Sequence, residues 1–309
     1  MKLKRILCMM LAIVLTAFSG CSSASDSNNN SPTDTLPSTE SVSPSDSSIQ
    51  TEPILETESE KLDMNKQYSI LFIGNSYTYY NDMPMVIFKK LAAEAGYDVK
   101  ITSITKGAHT LAKMADPKDE YGASVEKVLK GNKKFDFVVL QEQSVRPAID
   151  TVDEFYTAVR NLSARIRESG AEPILYSTWG RKTGNSTLTK YSLTNESMTW
   201  KLAASYQAIG NELDIPVAHA GLAFFDIYTG DSNIEIYNED KSHPSYEGSY
   251  LAAATLFAKI FNKDPSDVNY NGTLTEKTAK TLRQAAAKAV FQTPEIPVNY
   301  KISSEGVGN

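Results

Sequence analysis

Short apolar runs that alternate with amphipathic stretches constrain this chain more than any other feature. Residues 68–73 form an apolar run that stops at Gly74. A run so short and nearly continuous reads as a strand buried on both faces. Residues 99–104 and 135–140 repeat the pattern, and shorter runs follow at 173–176 and 216–220. Helical periodicity fills the gaps. After the first strand, Asp82 stands where a cap belongs, Pro84 falls in the first turn, and Ile87, Leu91 and Ala95 share a face. A second helix opens on Thr151 and Glu154 at capping-box spacing and aligns Val152, Phe155, Val159, Leu162 and Ile166 before Gly170 ends it. A third turns Leu202, Ile209 and Leu213 inward, and helices over 246–261 and 274–290 close the series. This order predicts an α/β fold, a three-layer α/β/α sandwich around a mainly parallel five-stranded sheet. In such sheets ligands bind outside the carboxyl ends of the strands, so polar residues there take priority.

The N-terminal region reads as an address. Lys2, Lys4 and Arg5 precede an apolar run over 6–18, too short to span a bilayer, which takes about 20 apolar residues. Phe18, Ser19 and Gly20 then lead to Cys21, which resembles the bacterial lipobox, in which the cysteine is acylated and becomes the new N-terminus. Phe18 departs from the aliphatic residue usual there; the alternative is a plain secretory signal in which Cys21 is incidental. We therefore expect a lipoprotein signal peptide over 1–20, a disordered Ser/Thr/Asp-rich tether over 21–65, a folded domain over 66–292 and a tail over 293–309. The expected location is the extracytoplasmic face of a bacterial cell-envelope membrane, held through lipidated Cys21.

Composition removes several chemistries. The two cysteines are Cys8, in the signal, and Cys21, so the domain has none for disulfides, thiolate catalysis or cysteine-bound zinc. The formal charge is −6, and loss of the three signal cations takes it to about −9. Without a Lys/Arg-rich run, such a domain is a poor nucleic-acid partner. Metal-assisted hydrolysis lacks a His-Glu-x-x-His motif or a dense His/carboxylate cluster.

Four polar blocks stand where the fold puts a site. Gly74, Asn75 and Ser76 follow the first strand; Gly107, Ala108 and His109 the second; Gln141, Glu142, Gln143 and Ser144 the third. Far along the chain come Asp240 and His243, just before a helix. In their order, spacing and placement, these blocks resemble the signature of the SGNH (GDSL-like) serine hydrolases, over residues 68–261. The resemblance implies a flavodoxin-like sheet and a serine esterase that needs no cofactor. It implies Ser76 as nucleophile, His243 as base and Asp240 as the group that orients the imidazole. It further implies an oxyanion hole built from the backbone N–H groups of Ser76 and Gly107 and one side-chain amide.

The chain departs from the family at that amide. The usual Gly-x-Asn-Asp segment is absent, and Gln143, or alternatively Gln141, is expected to supply the donor from one carbon farther away. Asn75 replaces the customary Asp before the nucleophile. Of the three histidines, His219 lies in an apolar strand and reads as a core residue, whereas His109 could face substrate. Asn75, His109 and Gln141 are candidate substrate contacts, with Trp179 as a sugar-stacking platform and Arg181 as a carboxylate holder. A Trp buried under a loop is the competing reading of Trp179. Residues 182–196 read as a polar loop over the site. The expected substrate is a small-molecule or carbohydrate ester, O-acetyl above all; the alternative is a non-catalytic glycan-binding lipoprotein on the same fold.

Overall fold

The computed structural model describes residues 62–292 and residue 296. The expected signal peptide, Cys21, most of the tether and nearly all of the tail lie outside the described residues. Among the described residues, no helix is long and apolar enough to cross a membrane.

The apolar runs become five parallel strands, β1 (Gln67–Gly74), β2 (Asp98–Thr105), β3 (Phe137–Leu140), β4 (Glu172–Ser177) and β5 (Val217–His219), in the order β2-β1-β3-β4-β5. Strand β1 pairs with β2 along its whole length and with β3 on its other side, from Ile70 opposite Phe137 to Ile73 opposite Leu140. Being central, it is covered on both faces, which is why its sequence is nearly continuous in apolar residues. Tyr68, Ile70 and Phe72 point into one core and Leu71 and Ile73 into the other.

The helices follow from the same division. On one face pack α2 (Lys89–Glu94), α8 (Ala220–Thr229), α9 (Tyr246–Phe261) and α10 (Glu276–Phe291). The other face is covered by α3 (Leu111–Ala115), α4 (Glu120–Lys130) and α5 (Val152–Glu168), while α7 (Asn195–Leu213) contributes to both cores. Two short helices, α1 (Ser76–Tyr79) and α6 (Ser186–Lys190), lie in the connections at the carboxyl ends of β1 and β4. Of these ten, α1, α3, α4, α6 and α8 have no counterpart among the sequence expectations, and α6 lies within 182–196, expected as a polar loop. In α8 the reason is plain: Ala220, Gly221, Leu222, Ala223 and Phe224 are all buried, so no polar face reveals a helical period.

Two expected caps are corrected. Asp82 does not cap a helix with its side chain; it and Asn81 adopt left-handed backbone (φ 52° and 54°), and the chain enters α2 through a π-helical turn, Met83–Phe88. Pro84 still falls in the first turn, and Ile87 and Leu91 are buried as the periodicity predicts. Thr151 precedes α5 without capping it; its hydroxyl donates to Arg146 O (3.0 Å), and Glu154 pairs with Arg146. Gly170 does end α5, at φ +84°, a conformation costly for residues with a Cβ.

The strand order places a topological switch point between β1 and β3, where chains leave the sheet toward opposite sides. A crevice opens there by construction.

Candidate active site

Ser76 opens α1 directly beyond β1. Asn75 is extended (φ −136°) and caps the helix, its Oδ1 accepting from Tyr77 N (3.2 Å). As a first-turn residue, Ser76 has a backbone N–H with no intrahelical acceptor. Its Oγ lies 2.8 Å from His243 Nε2.

His243 arrives from a loop 167 residues away in sequence. That loop is shaped by Lys241 in left-handed backbone (φ 59°), by Asn238 N donating to His243 O (2.8 Å), and by a β-bridge between Tyr237 and Pro244. Asp240 Oδ1 accepts the backbone N–H of Ser242 (3.0 Å) and of His243 (2.9 Å), and Oδ2 faces His243 Nδ1 at 2.5 Å. Burial by itself favours the neutral acid, but the hydrogen bonds from the His243 ring and from these two N–H groups outweigh it, so the carboxyl stays below its usual range. An ionised carboxylate only accepts, so Nδ1 carries the imidazole proton. Nε2 is then left with a lone pair aimed at the Ser76 hydroxyl. Tyr80 stacks on the imidazole (4.4 Å, 17°) and Tyr77 meets it edge-on (5.4 Å, 68°), so aromatic rings fix the plane of His243.

The cleft in front of this array has a volume of about 370 Å³, enough for a small ligand. Of the expected substrate contacts, Asn75 and Arg181 line it, as do Gln143, the expected third oxyanion donor, and Ala108, Ser144 and Asn185. The Gln143 amide is loosely held, Nε2 to Ser144 Oγ at 3.4 Å and Oε1 from Val145 N at 3.4 Å, which leaves it able to turn. Arg181 donates to Ser144 Oγ (2.9 Å), Asn185 Oδ1 (3.2 Å) and Thr187 Oγ1. Among the described residues, no carboxylate reaches Arg181 within ion-pair distance, and its buried Nε lacks an acceptor.

Other expectations are overturned. Trp179 is fully buried, not a platform: it lies between Tyr77 (4.7 Å, 6°) and Phe224 (3.9 Å, 2°) and donates Nε1–H to Ser242 O (3.1 Å). Gln141 is fully buried as well. Its Oε1 accepts from Asn75 N (3.0 Å) and its Nε2 is spent on Glu142 O, so it cannot supply the third donor. His109 turns away from the cleft because Asp119 draws its Nε2 to 2.9 Å. Asn75 borders the cleft, but its Nδ2 is committed to His109 O (3.0 Å), so it ties two loops together. At the second block Ala108, not Gly107, forms the wall and takes the left-handed backbone (φ 59°). A Cβ on Gly107 would meet only Tyr79 Oη, at 3.2 Å. His219 is a core residue, its Nε2 2.8 Å from Gln207 Oε1.

Sequence reasoning missed Tyr77, Tyr80, Ser144, Asn185 and Glu142. Most adjoin a motif residue, and that adjacency was the signal available. Glu142 carried a stronger one: a charged residue two positions beyond an apolar strand, where the chain is still buried.

No family model and no curated protein matches this chain. Among solved structures, it is similar to a protein of Slackia heliotrinireducens classed as an SGNH hydrolase, at 30% identity and TM-score 0.55 over 63% of this chain and 100% of the other. It is also similar to a DUF4886 family protein from Bacteroides uniformis, at 18% identity and TM-score 0.64 over 73% of this chain and 95% of that one, a likeness of fold.

Proposed function

Because this chain belongs to the SGNH hydrolase family, we propose that it is a serine esterase that removes a small acyl group from a polar alcohol. The observation that carries this reading is the continuous relay from Ser76 Oγ to His243 Nε2 (2.8 Å) and from His243 Nδ1 to Asp240 (2.5 Å). In this reading Ser76 Oγ attacks the acyl carbon while His243 Nε2 takes its proton, and ionised Asp240 stabilises the imidazolium that forms. The tetrahedral oxygen is received by Ser76 N–H, an N–H of the Gly107–Ala108 turn and the Gln143 amide. His243 then protonates the leaving alkoxide, and a water, deprotonated by the same imidazole, releases the acid from Ser76.

The cleft volume of about 370 Å³ and its polar walls support a short acyl group. An O-acetylated carbohydrate fits that description, and Arg181, ringed by neutral acceptors, favours one that also carries a carboxylate or another anionic group. We propose further that the domain acts at the bacterial envelope through lipidated Cys21. Appearance of the Cys21→Ser chain in the soluble fraction would support that location; retention of the variant in membranes would refute it.

The direct test is hydrolysis of 4-nitrophenyl acetate by the full chain, by Ser76→Ala and by His243→Ala. Either substitution is expected to lower kcat by at least about 10³-fold. A folded but inactive parent, or variants that match it, would overturn the esterase reading and leave glycan binding as the better one.

A further inference from the structure

Glu142 is almost wholly buried at the carboxyl end of β3, and the relay from Asp240 to Ser76 gives it no task. Its two oxygens are divided between two segments. Oε1 accepts the backbone N–H of Gln143 (2.5 Å), and Oε2 accepts the backbone N–H of Leu111 (3.1 Å), the first residue of α3. The first bond fixes the segment that presents the Gln143 amide. The second fixes the far end of the short stretch that begins at Gly107 and Ala108.

Two further bonds complete a ring. Gln141 Oε1 holds Asn75 N beneath the Ser76 turn, and Asn75 Nδ2 holds His109 O in the second loop. Each of the three segments that offer a donor to the tetrahedral oxygen is thus tied to both of the others. Glu142 supplies the tie between the second and third.

We propose that Glu142 is a positioning residue for the oxyanion hole, its carboxylate locking the Gln143 segment and the Gly107–Ala108 turn into one unit. The proposal rests on the esterase reading. An ionised carboxylate accepts strongly from both N–H groups, whereas protonation turns one oxygen into a hydroxyl, a poorer acceptor for the N–H it faces. The groups facing it are few. Tyr206 of α7 accepts Glu142 N–H (2.9 Å) through its hydroxyl, Arg146 draws the charge and Glu154 opposes it. Burial pushes the carboxyl up to about 7, against the pull of its two N–H donors and of Arg146. The lock therefore tightens as pH rises through neutrality.

The test uses the full chain, with backbone amide resonances followed from pH 5 to 9 and 4-nitrophenyl acetate turnover measured at pH 8. In the parent, the Gln143 and Leu111 amides should shift together with one midpoint near 7, and both shifts should vanish in Glu142→Gln. The variant, with a single carbonyl acceptor, should lose about 10²-fold in kcat, the scale of one oxyanion donor, while KM stays within about twofold. A residue that merely supported the fold would instead lower the unfolding temperature and leave the kcat of the folded fraction intact. Independent or absent amide titrations, or an unchanged kcat, would overturn the proposal. Absence of any esterase activity in the parent would sink the esterase reading, and with it the catalytic purpose; the amide titration in the parent separately decides whether the lock exists.

Discussion

His243 is held from three directions: Asp240 at Nδ1, the Ser76 hydroxyl at Nε2 and the Tyr80 ring on its face. The support extends inward, because Ser242, the residue before it, is held at its hydroxyl and its carbonyl as well as at the N–H that Asp240 accepts. Its Oγ meets Tyr77 Oη at 2.7 Å and its carbonyl accepts from Trp179 Nε1 at 3.1 Å. Trp179 therefore supports the His243 loop by packing and by its bond to Ser242 O, not by facing the cleft. Trp179→Ala should cost about 3–5 kcal/mol, the range for truncating a buried Trp. Trp179→Phe keeps the stack and strands one buried carbonyl, which costs about 1–3 kcal/mol. Urea unfolding checks both values. A raised KM in Trp179→Phe at unchanged stability would instead restore the platform reading that its burial overturns.

At the level of elements, the site is the meeting of two connections that share little sequence locality. The β1–α1 connection delivers Ser76 and the loop before α9 delivers His243. Asn81, in left-handed backbone, joins them by donating Nδ2 to Pro244 O (3.2 Å), Ser245 O (3.0 Å) and Ser249 Oγ (2.8 Å). That grip accounts for the π-helical turn that follows: the chain makes a detour at Asn81 and Asp82, and the turn is where helical register is regained. The β1 end is equally constrained. A Cβ on Gly74 would lie 2.7 Å from Gln141 Oε1 and 2.6 Å from Thr78 Oγ1, so one of them must move. Gly74→Ala should cost about 1–3 kcal/mol through overpacking. It should also displace the Ser76 turn, so that kcat falls in protein that is still folded by circular dichroism. A fully active variant would show that the turn tolerates movement of Gln141.

For the whole molecule, two buried titratable groups pull stability in opposite directions. Burial drives His219 down from its usual 6.5 to about 3, with Lys259 adding to the effect, so the unfolded chain binds its proton first. That contribution is complete above 6.5 and is lost as pH falls toward 3. Glu142 has the contrary sign: its carboxyl is raised from 4.5 to about 7, so its contribution is complete below 4.5 and is lost as pH rises through 7. In urea unfolding between pH 7 and pH 4.5, His219→Gln should lose less stability than the parent on acidification. The difference should approach a few kcal/mol, at about 1.4 kcal/mol per pH unit in the titrating window. Parallel curves would show that His219 charges in the folded state. Taken as a whole, the sequence by itself determined the sheet and the places where chemistry is possible. Hydrophobic period is a local property, and β1, α5 and α9 reveal themselves through it, as do the polar blocks at the strand ends. Tertiary structure alone decided which of those polar residues face the cleft. Gln141 and Gln143, two apart, divide into buried strut and open amide because Asn75 N, far along the chain, claims the first. His109 is lost to Asp119, Trp179 to Phe224, and Glu142 gains a task only once Leu111 is brought beside it. The physical reason is common to all four: a side chain's direction follows from its hydrogen-bond and packing partners, and these come together only when the sheet assembles.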